Sequence, residues 1–209
     1  MAPNFNIETN LMAQGMYKIA GVDEVGRGPL AGPVCAAAVI LDPDAIPDRL
    51  DDSKKLSAKR RLTALDALKS VAQIGVGWAS VAEIDQHNIL RASHLAMVRA
   101  VQALPVTPDV TLIDGNMIPC DFPTKAQTFV KGDSRSVSIA AASIVAKIKR
   151  DLVMRDLAQQ YPAYGWDTNM GYPTPAHKIA LQDFGVTPHH RRSFRPVHNI
   201  LYQEKNISC

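Results

Sequence analysis

The run Val34–Leu41, VCAAAVIL, limits the fold more than any other stretch of the chain. It is apolar from end to end, and Pro33 and Pro43 bound it. Its alanines allow helix, but its length and its proline flanks favour a buried strand. The rest of the chain has to supply the cover. Ile19–Asp23, just before it, is a short apolar stretch that ends in acids and glycines and reads as a first strand. Ile74–Val81 reads as a third.

Helical and strand patterns then alternate. Ser57 to about Val71 predicts a helix capped by Ser57, with Leu62, Leu65 and Leu68 on one face. Ile84, Ile89, Leu90, Met97, Val98 and Val101 give Val81–Leu104 the period of one long helix or two, ended by Pro105 and Pro108. Val110–Ile113 predicts a strand that stops at Asp114-Gly115-Asn116. Gln127–Val130 predicts another, followed by Lys131-Gly132-Asp133. Ser138–Gln159 is an alanine-rich helix whose Ala140, Ala141, Ala142 and Ser143 allow close approach to a sheet or ligand. Beyond it the chain is rich in proline and predicts short helices. This order indicates a layered α/β domain. At 209 residues the chain suits one core, so residues 1–209 are expected to form a single domain, with about 160–209 as its helical and loop C-terminal part.

Several classes fall away. No apolar run reaches the roughly 18 residues that a bilayer requires. Met1–Thr9 lacks a basic start and apolar core, so a cytoplasmic chain is expected. Cys35, Cys120 and Cys209 stand far apart and are odd in number, which disfavours a disulfide framework or a zinc site. Cys35 reads as a small core residue. The net charge of +3 is compatible with nucleic acid. Basic residues gather at Lys54–Arg61, Lys147–Arg150 and His189–Arg195, patches that can track a phosphate backbone.

Four acids fall in one kind of place. Asp23 and Glu24 end the first strand, Asp114 ends a later one, and Asp133 follows another and precedes a helix. Ligands gather where the strands of α/β sheets end. Four carboxylates together repel one another, and a divalent cation removes that penalty. All-oxygen ligation suits Mg²⁺ or Mn²⁺ rather than zinc. Two such ions roughly 4 Å apart can activate water and stabilise the leaving oxygen of a phosphodiester.

Gly26-Arg27-Gly28-Pro29-Leu30-Ala31-Gly32 follows the first strand. It fails the dinucleotide fingerprint, because its last glycine comes one place late and a strand, not a helix, follows. Glycines bring the backbone within hydrogen-bonding distance of a ligand, and Arg27 can grip a phosphate. Backbone groups beside a metal site are suited to sensing a 2′-hydroxyl, the group that separates RNA from DNA.

The motifs Gly21–Val34, Asp52–Leu56, Ile113–Asn116, Lys131–Asp133 with Ser138–Lys147 and Arg150-Asp151, Gly171–Thr174, and Arg191–Phe194 occur in the order that marks the bacterial type of the ribonuclease HII family, which the chain resembles over about Ile19–Val197. The resemblance implies a ribonuclease H-like fold, with a mixed central sheet flanked by helices and a small helical C-terminal extension. It implies that Asp23, Glu24, Asp114 and Asp133 are metal-binding catalytic acids, and that Gly26, Arg27 and Gly28 read the 2′-hydroxyl. Tyr172 matches the family tyrosine that packs on the deoxyribose after the ribonucleotide. Lys54, Ser143 and Lys147 are candidates for phosphate contacts, the last two lying four apart on one helix face. The implied substrates are RNA–DNA hybrids and DNA duplexes with embedded ribonucleotides, cut 5′ to the ribonucleotide with Mg²⁺ or Mn²⁺. Nothing in the sequence requires an obligate protein partner or more than a monomer. The rivals are a non-catalytic nucleic-acid-binding module, which leaves the acids unexplained, and a metal-dependent enzyme acting on DNA alone, which would ignore a 2′-hydroxyl.

Overall fold

In the computed structural model, which describes residues 2–48 and 50–202, the first strand β1 is Ile19–Val25 and the apolar run Val34–Leu41 is β2. Every residue of β2 is buried. β1 pairs antiparallel with it on one side, and β3 (Ala72–Ala79) pairs antiparallel on the other. β4 (Val110–Asp114) lies parallel to β1, and β5 (Ala126–Phe129) parallel to β4. The result is a mixed five-stranded sheet in the order β3-β2-β1-β4-β5. Cys209 lies outside the described residues.

Both sheet faces are covered, which explains a strand with no polar side. Cys35, Ala37 and Val39 face a layer built from α2 (Ala58–Val71) and α4 (Val137–Gln160). Ala36, Ala38 and Ile40 face α3 (Val81–Gln102). At Gly21 on β1, an added Cβ would lie 2.1 Å from the backbone carbon of Ser138. The first turn of α4 therefore rests directly on β1, with no side chain between them. The helix that begins just after Asp133 is thereby brought to the strand that carries Asp23.

Two features differ from expectation, and another settles a choice left open. Leu65 and Leu68 are buried under α2, but Leu62 is exposed, so the apolar stripe is narrower than the leucine spacing suggested. The choice between one helix and two over Val81–Leu104 is resolved by Asn88, whose non-helical φ of 66° kinks α3. Its side-chain oxygen accepts from the amides of Leu90 and Arg91, capping the second segment. Third, Asn6–Met12 forms a short helix, α1, too brief for a periodic signal. Tertiary bonds hold it: Glu8 is fully buried and accepts from Ser136 Oγ at 2.5 Å and from the Ser138 amide at 3.1 Å.

The C-terminal part carries α5 (Trp166–Asn169), α6 (Pro175–Phe184) and α7 (Arg195–Tyr202). Leu30 and Ala31 pack into one apolar cluster with Met154 and Leu157 of α4 and with Trp166, Leu181 and Val197. The glycine-rich loop is thus built into the junction between the sheet and these helices. No helix among the described residues is long and apolar enough to cross a membrane.

Because the contact at Gly21 is backbone to backbone, Gly21→Ala should force α4 off the sheet. The expected loss is about 1–3 kcal/mol or more, read as a lowered denaturant midpoint. An unchanged midpoint would show that the helix can shift freely.

Candidate active site

Asp23 and Asp114 lie on the parallel neighbours β1 and β4, in adjacent register, since Val22 pairs with Ile113. Side chains alternate along a strand. Gly21 and Asp23 therefore share the face on which α4 lies, and Asp114 shares it with Leu112, which packs against Ile139 of that helix. Asp133 arrives from another direction, on the single 3₁₀ turn Gly132–Ser134 between β5 and α4. The Gly132 amide donates to Asp114 Oδ1 at 2.7 Å and fastens that turn to the end of β4. One carboxylate oxygen from each of Asp23, Asp114 and Asp133 lies within 4.8 Å of the others.

This arrangement is electrostatically costly without a cation. Burial holds the Asp23 carboxyl well above the usual aspartate range, and the charges of Glu24, Asp114 and Asp133 push it further. Asp133 is raised by burial and by Asp52 and Asp114, with Lys54 opposing. Lys54 Nζ lies 3.7 Å from Asp133 Oδ2, but its side chain is 81 % exposed, so it compensates only partly. Partial burial pulls the Lys54 ammonium down, and Asp23, Asp52, Asp133 and Asp114 more than offset that and raise it. Three converging hard oxygen donors with unrelieved negative charge fit a divalent cation of the Mg²⁺ or Mn²⁺ kind.

Glu24 follows the alternation of β1 and leaves on the opposite face. Its Oε1 accepts from Arg27 Nη1 at 3.2 Å, and with Asp114, Asn116 and His94 it lines a groove of about 350 Å³. Burial raises its carboxyl, Arg27 opposes the shift, and Asp114 adds to it. The structure thus brings three of the four acids together and sets Glu24 beside them, against Arg27.

The glycine-rich loop is held from inside by two buried guanidinium groups. Arg191 donates from Nη2 to the carbonyl of Gly26 (2.6 Å), from Nη1 to that of Arg27 (3.1 Å) and from Nε to that of Gly32 (2.9 Å). Arg150 donates from Nε to Pro33 (2.9 Å), from Nη2 to Ala31 (3.1 Å) and from Nη1 to Met170 (3.0 Å). Neither arginine forms an ion pair among the described residues. Burial, with Arg150 adding to it, pushes the Arg191 guanidinium down to about 9, and burial also lowers Arg150. Gly26 has φ +99°, and a Cβ there would meet Arg150 Nε at 2.2 Å, so only glycine fits. With the carbonyls turned inward, the amides of the exposed Arg27 and Gly28 donate to no protein acceptor among the described residues. The Tyr172 ring stands over Gly28, 3.3 Å from where a Cβ would be, and remains 41 % exposed.

The family model for ribonuclease HII matches residues 20–197. The chain belongs to the ribonuclease HII family. It is 64% identical over 202 residues to ribonuclease HII of Ruegeria pomeroyi, covering 97% of this chain and 86% of that one. With ribonuclease HII of Paracoccus denitrificans it shares 58% over 206 residues, 99% and 98% of the two chains. Among solved structures it resembles ribonuclease H2 from Pyrococcus horikoshii, at 27% identity and a TM-score of 0.75, over 88% of this chain and 96% of that one. A Bst ribonuclease HIII in complex with Mn²⁺, 20% identical with a TM-score of 0.68 over 91% and 71% of the two chains, shares the fold. The chain is therefore a metal-dependent endonuclease of the ribonuclease H type, acting on RNA in RNA–DNA hybrids.

For a ribonuclease HII, the remaining residues sort by burial. Lys54 is exposed beside the acids. Ser143 is 3% exposed, donates to the Ala140 carbonyl at 2.8 Å and accepts from the Ser53 amide at 3.3 Å. Its hydroxyl is thus engaged within the protein, where it pins the turn that presents Lys54. Lys147 is half-buried and bonded to Asp151 at 2.7 Å. The basic clusters are likewise not all surface: Arg150 and Arg191, counted there among possible phosphate contacts, are fully buried. Their part in holding the loop had no local signal, because the loop carbonyls they bond are more than a hundred residues away in sequence.

The raised Asp23 carboxyl makes a checkable statement about the metal-free protein. A group with a raised folded-state pKa contributes stability below its unfolded value, and that contribution is lost as pH rises through the folded value. Asp23→Asn keeps an acceptor for the Glu24 amide and removes the charge. In EDTA at about pH 8 the variant should melt above the wild type, the gap closing as pH falls toward 3.8. Melting below the wild type at the higher pH would show that the acids do not strain the apo fold.

Proposed function

We propose that the chain cuts on the 5′ side of a ribonucleotide, in RNA–DNA hybrids and in DNA duplexes with embedded ribonucleotides, leaving 5′-phosphate and 3′-hydroxyl ends. Asp23, Asp114 and Asp133 hold Mg²⁺ or Mn²⁺, with Glu24 completing the set from the neighbouring face once substrate and two ions are in place. The convergence of three carboxylate oxygens within 4.8 Å, beside a loop with outward amides, carries the reading. A divalent cation supplies, when bound, an activated water nucleophile and charge stabilisation at the leaving oxygen.

The chain's own residues select and align the substrate. The Gly26–Gly28 backbone, its carbonyls committed to Arg191, offers its free amides to the 2′-hydroxyl. Tyr172 stacks on the following deoxyribose, and its contact with Gly28 sets the spacing between the two sugar readers. Arg27 shares its charge between Glu24 and a phosphate. Lys54, on a turn steadied by Ser143, contacts the backbone near the cut, and Lys147 contributes a weaker, more distant attraction while paired with Asp151. Residues 1–209 act as one catalytic domain, a cytoplasmic monomer that needs no protein partner to cut.

The test is a labelled duplex holding one ribonucleotide, beside an all-DNA control, with Mg²⁺, Mn²⁺ or EDTA. The expected result is one metal-dependent cut on the 5′ side of the ribonucleotide. Asp23→Asn should lower the rate by roughly 10²-fold or more while retaining binding. Cutting in EDTA, or equal cutting of the all-DNA control, would reject the reading.

A further inference from the structure

The histidines left without a role by sequence belong to a buried network behind Tyr172. His177 is 0% exposed and His190 1%. Trp166 Nε1 donates to His177 Nε2 at 3.0 Å. An indole N–H can only donate, so that ring nitrogen bears no proton. A neutral His177 then keeps its hydrogen on Nδ1, which lies 2.9 Å from the carbonyl oxygen of Tyr172. At the other ring, the Thr187 amide donates to His190 Nδ1 at 3.0 Å. The His190 hydrogen is therefore on Nε2, 3.1 Å from His177 Nε2. His177 Nε2 is shared by the Trp166 and His190 N–H groups, and charging either ring would set donor against donor. Burial lowers both imidazoles, His190 to about 3 with His177 and His189 contributing, so both rings are neutral at physiological pH.

The network grips a strained turn. Met170 and Gly171 have φ of 50° and 82°, and a Cβ on Gly171 would come 2.7 Å from the Ala31 carbonyl. Backbone of this kind persists where its surroundings over-determine it. Arg150 and the Leu30 amide hold the carbonyls of Met170 and Gly171. The Tyr172 carbonyl has two donors: the nearby Thr174 amide at 2.8 Å, and His177, which alone ties it to the core of the C-terminal helices.

We propose that His177 is a positioning residue for substrate selection: its Nδ1–H, aimed by Trp166 and His190, fixes the Tyr172 carbonyl and so the angle at which the tyrosine ring stands over Gly28. This rests on the reading of Tyr172 as the sugar contact. His177 touches no reacting atom. Its loss should disturb the choice of junction and spare the chemistry, whereas a purely structural histidine would affect every substrate alike.

Two near-isosteric variants separate these cases. The amide of His177→Asn falls on the Nδ1 side of the ring and can still donate to the Tyr172 carbonyl. The amide of His177→Gln reaches the Nε2 side, keeping Trp166 company and abandoning Tyr172. The quantity to measure is the ratio of kcat/KM on a single-ribonucleotide duplex to that on a continuous RNA–DNA hybrid, from one preparation, so that any inactive fraction cancels. Asn should keep about the wild-type ratio, and Gln should lower it roughly tenfold with kcat on the hybrid nearly unchanged. His177→Gln combined with Tyr172→Ala should be no more impaired in ratio than Tyr172→Ala alone. Should the Gln variant not fold, Trp166→Phe, which removes the donor that orients the ring, is expected to lower the ratio in the same direction. The proposal is overturned if Gln, or Trp166→Phe in its place, leaves the ratio at the wild-type value, or if both substrates lose rate equally. If Tyr172→Ala itself leaves the ratio unchanged, the sugar reading has failed and takes the proposal with it. That outcome is distinct from one in which Tyr172→Ala lowers the ratio and His177→Gln does not.

Discussion

Two positive charges, buried without a carboxylate partner among the described residues, hold the glycine-rich loop beside the acid cluster in shape. Arg150 and Arg191 would be costly to desolvate if nothing answered them. What answers them is backbone: the carbonyls of Gly26, Arg27, Ala31, Gly32 and Pro33, with Met170 from the Tyr172 turn. Hydrogen bonds to charged donors contribute about 1.5–3 kcal/mol each, so several together offset much of the penalty. The exchange is mutual, since those carbonyls would otherwise be buried acceptors with no donor. An ion pair would have fixed two side chains. This arrangement fixes a length of main chain, and it decides that the amides of Arg27 and Gly28 point outward.

The acids obey a different constraint. The sheet delivers Asp23 and Asp114 to one face because parallel neighbours in adjacent register must present them together. Asp133 depends on the backbone contact at Gly21, which seats the start of α4 on β1. Rigid elements thus force carboxylates to a separation at which they repel. The strain raises the Asp23 carboxyl and makes the metal-free site a poor one for three charges. The same strain favours a divalent ion, because binding relieves repulsion that the fold has already imposed.

Much of this was legible in the sequence where pattern and packing agree. Val34–Leu41 is a strand with the bounds its prolines suggested, Asp114 ends a strand, and Asp133 lies between a strand and a helix, as expected. Legibility fails where a residue's role depends on a distant segment. Arg150 and Arg191 look like their solvated neighbours Lys149 and Arg192, since nothing local records which cation will be buried. Leu62 fits the helical period of Leu65 and Leu68 yet meets solvent, because the width of an apolar stripe is set by what lies opposite. Glu24 directly follows Asp23 in the chain, and only the alternation of β1 shows that the two side chains leave on opposite faces. α1 was missed because its anchor, Glu8 on Ser136 and Ser138, spans more than a hundred residues of sequence.

The acid cluster and the glycine-rich loop are therefore held by different physical means. Carboxylates on strand ends are positioned by the sheet and react to charge. The loop and the tyrosine are positioned by buried hydrogen bonds, and Arg150 serves both, bonding Ala31 and Pro33 on one side and Met170 on the other. One planar guanidinium thus ties the end of the glycine-rich loop to the Tyr172 turn, alongside the Leu30 amide on the Gly171 carbonyl. Exposed cations such as Lys54 and Arg27 add attraction that salt screens. The donors that shape the loop, Arg150 and Arg191, are buried where salt does not reach them. On the function proposed above, affinity for a nucleic-acid backbone and discrimination of a single hydroxyl are separable: the first rests on exposed charge, the second on main chain held from beneath.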